Sequence, residues 1–173
     1  MAGKGNGMVR NILFLCTGNI CRSPVAEAVA RQMYHGSGLE FHSAGLSARH
    51  GLPASADSVA YGKATGAGLD GHCSRPVSAG ILSETLWVIG MTRSHAAIFR
   101  SRFGGGFSGG IGVLGAPGVD LNRCTYSTEV EEVADPYGGS VETYHAVCEQ
   151  IRRLLAGWEP YFKDPAARKE IQP

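Results

Sequence analysis

The chain has 173 residues and a mass of 18.2 kDa, the length of one domain that can bury a core without disulfide staples. With 43% hydrophobic and 18% charged residues it is neither a disordered nor a fibrous sequence. Sixteen Lys and Arg against fifteen Asp and Glu give a net charge of +1, which argues against wholesale electrostatic binding of nucleic acid, and no apolar run is long enough to span a bilayer.

Residues 1–9 are Gly-rich and polar and read as a flexible extension. They lack the apolar stretch and small-residue cleavage site of a secretory signal, so a cytoplasmic protein without membrane or nucleic-acid partners is expected. Asn11 to Cys16 is a short apolar run closed by Thr17, Gly18 and Asn19, the pattern of a strand buried on both faces. A helix follows, with Ser23 as its cap and Pro24 at its first position. Val25, Ala28, Val29 and Met33 form one face of it, and Gly36 stops it. Leu39 to Ser43 reads as a second strand, and residues 54–65 as a weak helix that contains Gly62. Leu86 to Met91 is a third strand and Arg93 to Phe103 a helix. Ile111 to Leu114 is a short fourth strand after a glycine-rich run, 104–112, for which the sequence offers no reason. Val141, Tyr144, Cys148, Ile151 and Leu155 recur at spacings of three and four and mark the last helix, ended by Gly157. The domain is expected over residues 10–158, with 159–173 as a tail.

Strands alternating with helices predict a single three-layer α/β domain with a parallel sheet and right-handed crossovers. Ligands bind such sheets beyond the carboxyl ends of the strands, so the first strand-to-helix junction is the place to look. The five cysteines are odd in number and contain no Cys-x-x-Cys pair. They point to reduced thiols rather than a disulfide framework or a structural zinc.

The junction reads Cys16-Thr17-Gly18-Asn19-Ile20-Cys21-Arg22-Ser23-Pro24. Gly18 and Asn19 tolerate left-handed backbone angles, so the chain can curl into a cup of N–H groups. The helix that follows adds free N–H groups and the positive end of its dipole, which makes an anion site suited to phosphate. Arg22 can hold two phosphate oxygens with its planar fork. Cys16 at the base of this positive field is expected to act as a thiolate nucleophile, with Ser23 donating to its sulfur. That arrangement predicts phosphoryl transfer through a cysteinyl-phosphate. No metal or organic cofactor is required, since Arg22 and the backbone supply the positive charge.

The leaving oxygen of a phosphate ester needs a proton. Asp135 lies in a long irregular stretch, about 115–139, stiffened by Pro136 and loosened by Gly138 and Gly139. Two readings of it stand: a catalytic acid, or an ordinary turn ahead of the last helix. Glu129, Glu131 and Glu132 read as a solvated face.

The stretch ILFLCTGNICRSPVAEA closely resembles the low-molecular-weight protein tyrosine phosphatases. The resemblance continues in His42-Ser43-Ala44-Gly45, in Met91-Thr92 and in Asp135-Pro136-Tyr137-Gly138, and runs from about Asn11 to Trp158. It implies a cysteine-dependent phosphoric monoester hydrolase on a four-stranded parallel sheet of order 2-1-3-4 flanked by helices. It implies that Asp135 is the general acid, and that Thr17, Gly18, Asn19, Ile20, Cys21 and Ser23 surround the substrate. Asn19, Ser23, Ser43 and His72 should form the hydrogen-bond network that holds the loop. In relatives that carry a second loop cysteine, the residue at Cys21 can trap the oxidised nucleophile as a disulfide; the other reading of Cys21 is packing, the role expected of Cys148.

The expected partners are phosphotyrosine proteins, met by a monomer or weak dimer. Ile20 suits an aromatic ring, and Tyr137 would form the opposite wall by stacking. The alternative is a protein arginine phosphatase, a sister branch whose acid loop is similar to Asp-Pro-Tyr-Gly-Gly-Ser here, though that branch typically has Thr where this chain has Ile20. An arsenate reductase on the same fold would need a downstream cysteine pair, and residues 74–123 contain no Cys. A phosphate-binding module without turnover would be expected to lack Cys16, Arg22 or Asp135.

Overall fold

The computed structural model describes residues 10–123, 130–164 and Ala167. The expected N-terminal extension, Cys124 and Glu129 lie outside the described residues. Strands β1 (Arg10–Cys16), β2 (Leu39–Gly45), β3 (Thr85–Gly90) and β4 (Gly110–Val113) form one parallel sheet in the order β2-β1-β3-β4. The helices are α1 (Arg22–Met33), α2 (Ala56–Thr65), α3 (Ala79–Leu82), α4 (Arg93–Phe103), α5 (Val141–Ala156) and α6 (Glu159–Lys163).

Side chains alternate across a strand, so one sheet serves two cores. Ile12, Phe14 and Cys16 of β1 face the layer of α1, α2, α5 and α6, together with Trp87 and Ile89 of β3. Leu13 and Leu15 face the other way, with Val88, Ile111 and Val113, against Ala96 and Phe99 of α4. This is the expected three-layer α/β domain with the expected strand order.

The sequence reading needs correction in four places. Helix α1 begins at Arg22 with Cys21 as its cap residue, so Ser23 is not the cap and Pro24 is the third helical residue. Met33 and Val141, assigned to apolar faces, are exposed; each is a terminal residue of its helix, where little packs over it. The short helix α3, capped by Ser78, carries no periodicity that a sequence could reveal. Glu159 to Lys163, read as part of a tail, are helical. Phe162 is buried there, stacked on Trp158 and edge-on to Phe41 and Tyr34.

The end of the glycine-rich run also acquires a reason. A Cβ at Gly110 would lie 2.5 Å from the Trp87 ring, and one at Gly112 would lie 2.8 Å from that of Trp158. The two indoles meet edge to face, 5.1 Å apart, in the room these glycines leave.

Candidate active site

Strand β1 lies inside the sheet between β2 and β3, so Cys16 emerges at its carboxyl end from the middle of the molecule. The following loop is pinned to the end of β2. Leu46 N–H donates to the Cys16 carbonyl (3.0 Å) and Ser47 N–H to that of Thr17 (2.9 Å). Gly45 permits this approach, because a Cβ there would lie 2.6 Å from the Thr17 carbonyl oxygen.

Asn19 is the non-glycine residue with positive φ among the described residues, at 56°. That conformation has a cost for an L-residue, and five hydrogen bonds hold it. Its Nδ2 donates to Ser23 Oγ (3.0 Å) and to Ser43 Oγ (2.9 Å), and its backbone N–H donates to Cys16 Sγ (3.2 Å). Its Oδ1 accepts from the Arg75 backbone N–H (2.9 Å), and its carbonyl accepts from His72 Nε2 (2.8 Å). Behind it, Ser43 Oγ donates to the buried Glu27 carboxylate (2.5 Å), which also pairs with Arg31.

The sulfur at the base is buried and has two neighbours able to donate. Besides the Asn19 amide, Ser23 Oγ lies 3.0 Å away. Arg22 is buried, its Nη1 donating to the Val133 carbonyl (3.1 Å) and its Nη2 pairing with Asp135 Oδ2 at 2.8 Å. Arg22 Nε is buried and has no hydrogen-bond partner among the described residues. Asp135 Oδ1 also accepts from the Tyr137 amide (3.3 Å), so the residue is both a turn former and a partner of the guanidinium. Cys16, Thr17, Gly18, Ile20, Cys21, Arg22, Asp135 and Tyr137 line one cavity of about 170 Å³. Ile20 is half-buried in its wall, and Tyr137 is exposed at the rim. Cys21 is buried, with its sulfur 3.5 Å from Tyr144 Oη. Burial, then contact with Cys21, pushes the Tyr144 hydroxyl up to about 12. Cys148 packs in the core, where burial raises its thiol to about 12.

Every named site residue therefore falls in this cavity or in the network behind it. Glu131 and Glu132 stay at the surface: Glu131 pairs with Arg153, and Glu132 accepts the Arg93 amide at the start of α4. Sequence reasoning missed Glu27, Arg75, the Val133 carbonyl and His95. The last is buried at the start of α4, with Nε2 3.1 Å from Thr17 Oγ1 and Nδ1 2.9 Å from Thr92 Oγ1. Burial, then the Arg22 charge, lowers its pKa to about 4. Among the described residues, no three His, Cys, Asp or Glu gather as metal ligands do.

The low molecular weight phosphotyrosine protein phosphatase family matches the chain over residues 11–168. The chain is 32% identical to the low molecular weight protein-tyrosine-phosphatase Wzb of Escherichia coli, over 87% of the chain and 94% of that protein. It is 30% identical to the protein-arginine-phosphatase of Bacillus subtilis, over 84% and 91%. Among solved structures, the YwlE arginine phosphatase from Geobacillus stearothermophilus superposes with a TM-score of 0.74 at 28% identity, covering 88% of this chain and 92% of that one. With the match spanning nearly its whole length, the chain belongs to the low molecular weight phosphotyrosine protein phosphatase family.

Proposed function

We propose that the protein hydrolyses phosphotyrosine in proteins through a cysteinyl-phosphate, with Asp135 as the general acid. The observation that carries this reading is a buried sulfur that accepts the Asn19 amide and lies 3.0 Å from Ser23 Oγ, in a cavity lined also by the ion pair of Arg22 and Asp135. In the first step Cys16 Sγ attacks phosphorus and the bond to the leaving oxygen breaks. Asp135, in its acid form, gives that oxygen a proton. The loop amides and Arg22 hold the equatorial oxygens, and Arg22 Nε, which has no partner among the described residues, is a further donor for them. A phosphoryl dianion entering the cavity competes with Asp135 for the guanidinium and releases the carboxyl group toward the leaving oxygen. In the second step the Asp135 carboxylate takes a proton from water, which attacks phosphorus and expels Cys16 Sγ. Ser23 steadies the sulfur as attacker and as leaving group.

Ile20 and Tyr137 line the cavity, and an aliphatic side chain and a phenol ring there suit an aromatic substrate ring. A second reading, phosphoarginine, is favoured by the similar identity to the Bacillus subtilis protein-arginine-phosphatase and by the Asp-Pro-Tyr-Gly-Gly-Ser loop. Phosphotyrosine stands first because Ile20 offers no hydrogen bond to a guanidinium.

The wild-type protein should cleave an aryl phosphate, and Cys16→Ser should remove turnover; unchanged turnover would refute the mechanism. Asp135→Ala should slow alkyl phosphates far more than aryl phosphates with good leaving groups, by roughly 100-fold or more. Phosphotyrosine and phosphoarginine peptides compared side by side, with Ile20→Thr alongside, decide between the substrates. A wild-type preference for phosphoarginine would overturn the first choice.

A further inference from the structure

The contact between α4 and the phosphate loop has an internal direction. Thr92 Oγ1 accepts the His95 backbone N–H (3.3 Å) as the cap of α4. His95 Nδ1 lies 2.9 Å from the same oxygen and Nε2 lies 3.1 Å from Thr17 Oγ1. The tautomer with the ring proton on Nε2 uses the half-buried Thr92 proton on Nδ1 and donates to Thr17, whereas the other would leave the Thr92 proton without an acceptor among the described residues. With one Thr17 lone pair engaged from below, the hydroxyl proton is left without a protein acceptor among the described residues, and Thr17 lines the cavity. Were the tautomer reversed, Thr17 would spend its proton on the ring and show only lone pairs to an anion.

We propose that His95 is a positioning residue that turns the Thr17 hydroxyl proton into the cavity, where it donates to a phosphoryl oxygen. The inference deepens the phosphatase reading and rests on it for the identity of the anion. The ring stays neutral across the working range, because burial and Arg22 oppose its protonation; Asp135 and Glu132, the carboxylates facing it, act in the opposite sense and are outweighed. Hydrogen bonds, rather than charge, therefore choose the tautomer.

Substitutions separate this role from a purely structural one. The amide of Gln reaches the position of Nε2 and can donate to Thr17, whereas the shorter Asn reaches only the position of Nδ1 and can satisfy only Thr92. Inorganic phosphate binding, measured by calorimetry, should weaken about 10-fold in Thr17→Val. It should weaken equally in His95→Asn, and stay within about 3-fold of wild type in His95→Gln and Thr17→Ser. The double variant His95→Asn with Thr17→Val should bind no worse than Thr17→Val alone. With an aryl phosphate, kcat/KM should fall in step with the phosphate affinity in Thr17→Val and His95→Asn, and His95→Gln should restore it. Restoration by Asn instead of Gln, multiplied losses in the double variant, or wild-type affinity in Thr17→Val would overturn the proposal. Thr17→Val and Thr17→Ser alter a partly exposed loop side chain, so they judge it even if the His95 variants unfold. Phosphate affinity needs no turnover: wild-type protein that binds phosphate without cleaving esters would defeat the phosphatase reading and leave this test intact.

Discussion

Asn19 combines a strained backbone with a side chain that is bonded at both ends, and the two properties can be pulled apart. Asn19→Gly keeps the left-handed conformation without penalty and loses the ties to Ser23, Ser43 and Arg75. Activity toward an aryl phosphate should fall by roughly 10- to 100-fold, since small misplacements of a reacting group are amplified in rate. Asn19→Ala loses the same ties and also carries the strain of a positive φ. It should be less stable than Asn19→Gly by about 1 kcal/mol, measured by urea denaturation. Equal stabilities would mean that the loop rearranges instead of enduring the angle.

Glycine choices decide how the elements stack. Gly112 lets β4 lie against the Trp158 ring, so Gly112→Ala should cost about 1–3 kcal/mol and lower the melting temperature with little effect on KM. Gly105, around which a Cβ would meet nothing within 4 Å, should accept Ala freely. The sequence displays the strands, most helices and the phosphate loop because their signals are local: apolar runs, turn residues and a Cys and an Arg close together in the chain. It hides the reason for Gly110 and Gly112, because the rings they accommodate come from β3 and from beyond α5. It hides Glu27, Arg75 and His95 for the same reason. His95 meets Thr17 across 78 positions and Arg75 meets Asn19 across 56, and neither position carries a motif of its own. Ser23 before Pro24 has the composition of a helix start, whereas its hydroxyl is engaged by Cys16 and Asn19 rather than by the helix end.

Burial of His95 gives the whole molecule an acid sensitivity. In the unfolded chain the imidazole titrates near 6.5, and in the fold its pKa is about 4. As pH falls below 6.5 the unfolded state takes up a proton that the fold refuses, so stability declines down to about pH 4 and then levels with respect to this group. The shift corresponds to about 3 kcal/mol across that window. His42, whose pKa is lowered by burial and then by Arg75, adds a contribution of the same sign. Urea denaturation at pH 7 and pH 4.5 should show the loss, and His95→Asn should flatten it; an unchanged slope in that variant would assign the sensitivity elsewhere.

Trp87 and Trp158, the chain's two indoles, are fully enclosed and lie against each other. Trp87 stands in register with Ile12, four residues back along β1 from Cys16, roughly 13 Å by strand rise. Intrinsic fluorescence thus becomes a gauge of the interior that is nearly blind to events around the thiol. A substituted protein that emits like the parent and turns nothing over has kept its shape and lost its chemistry.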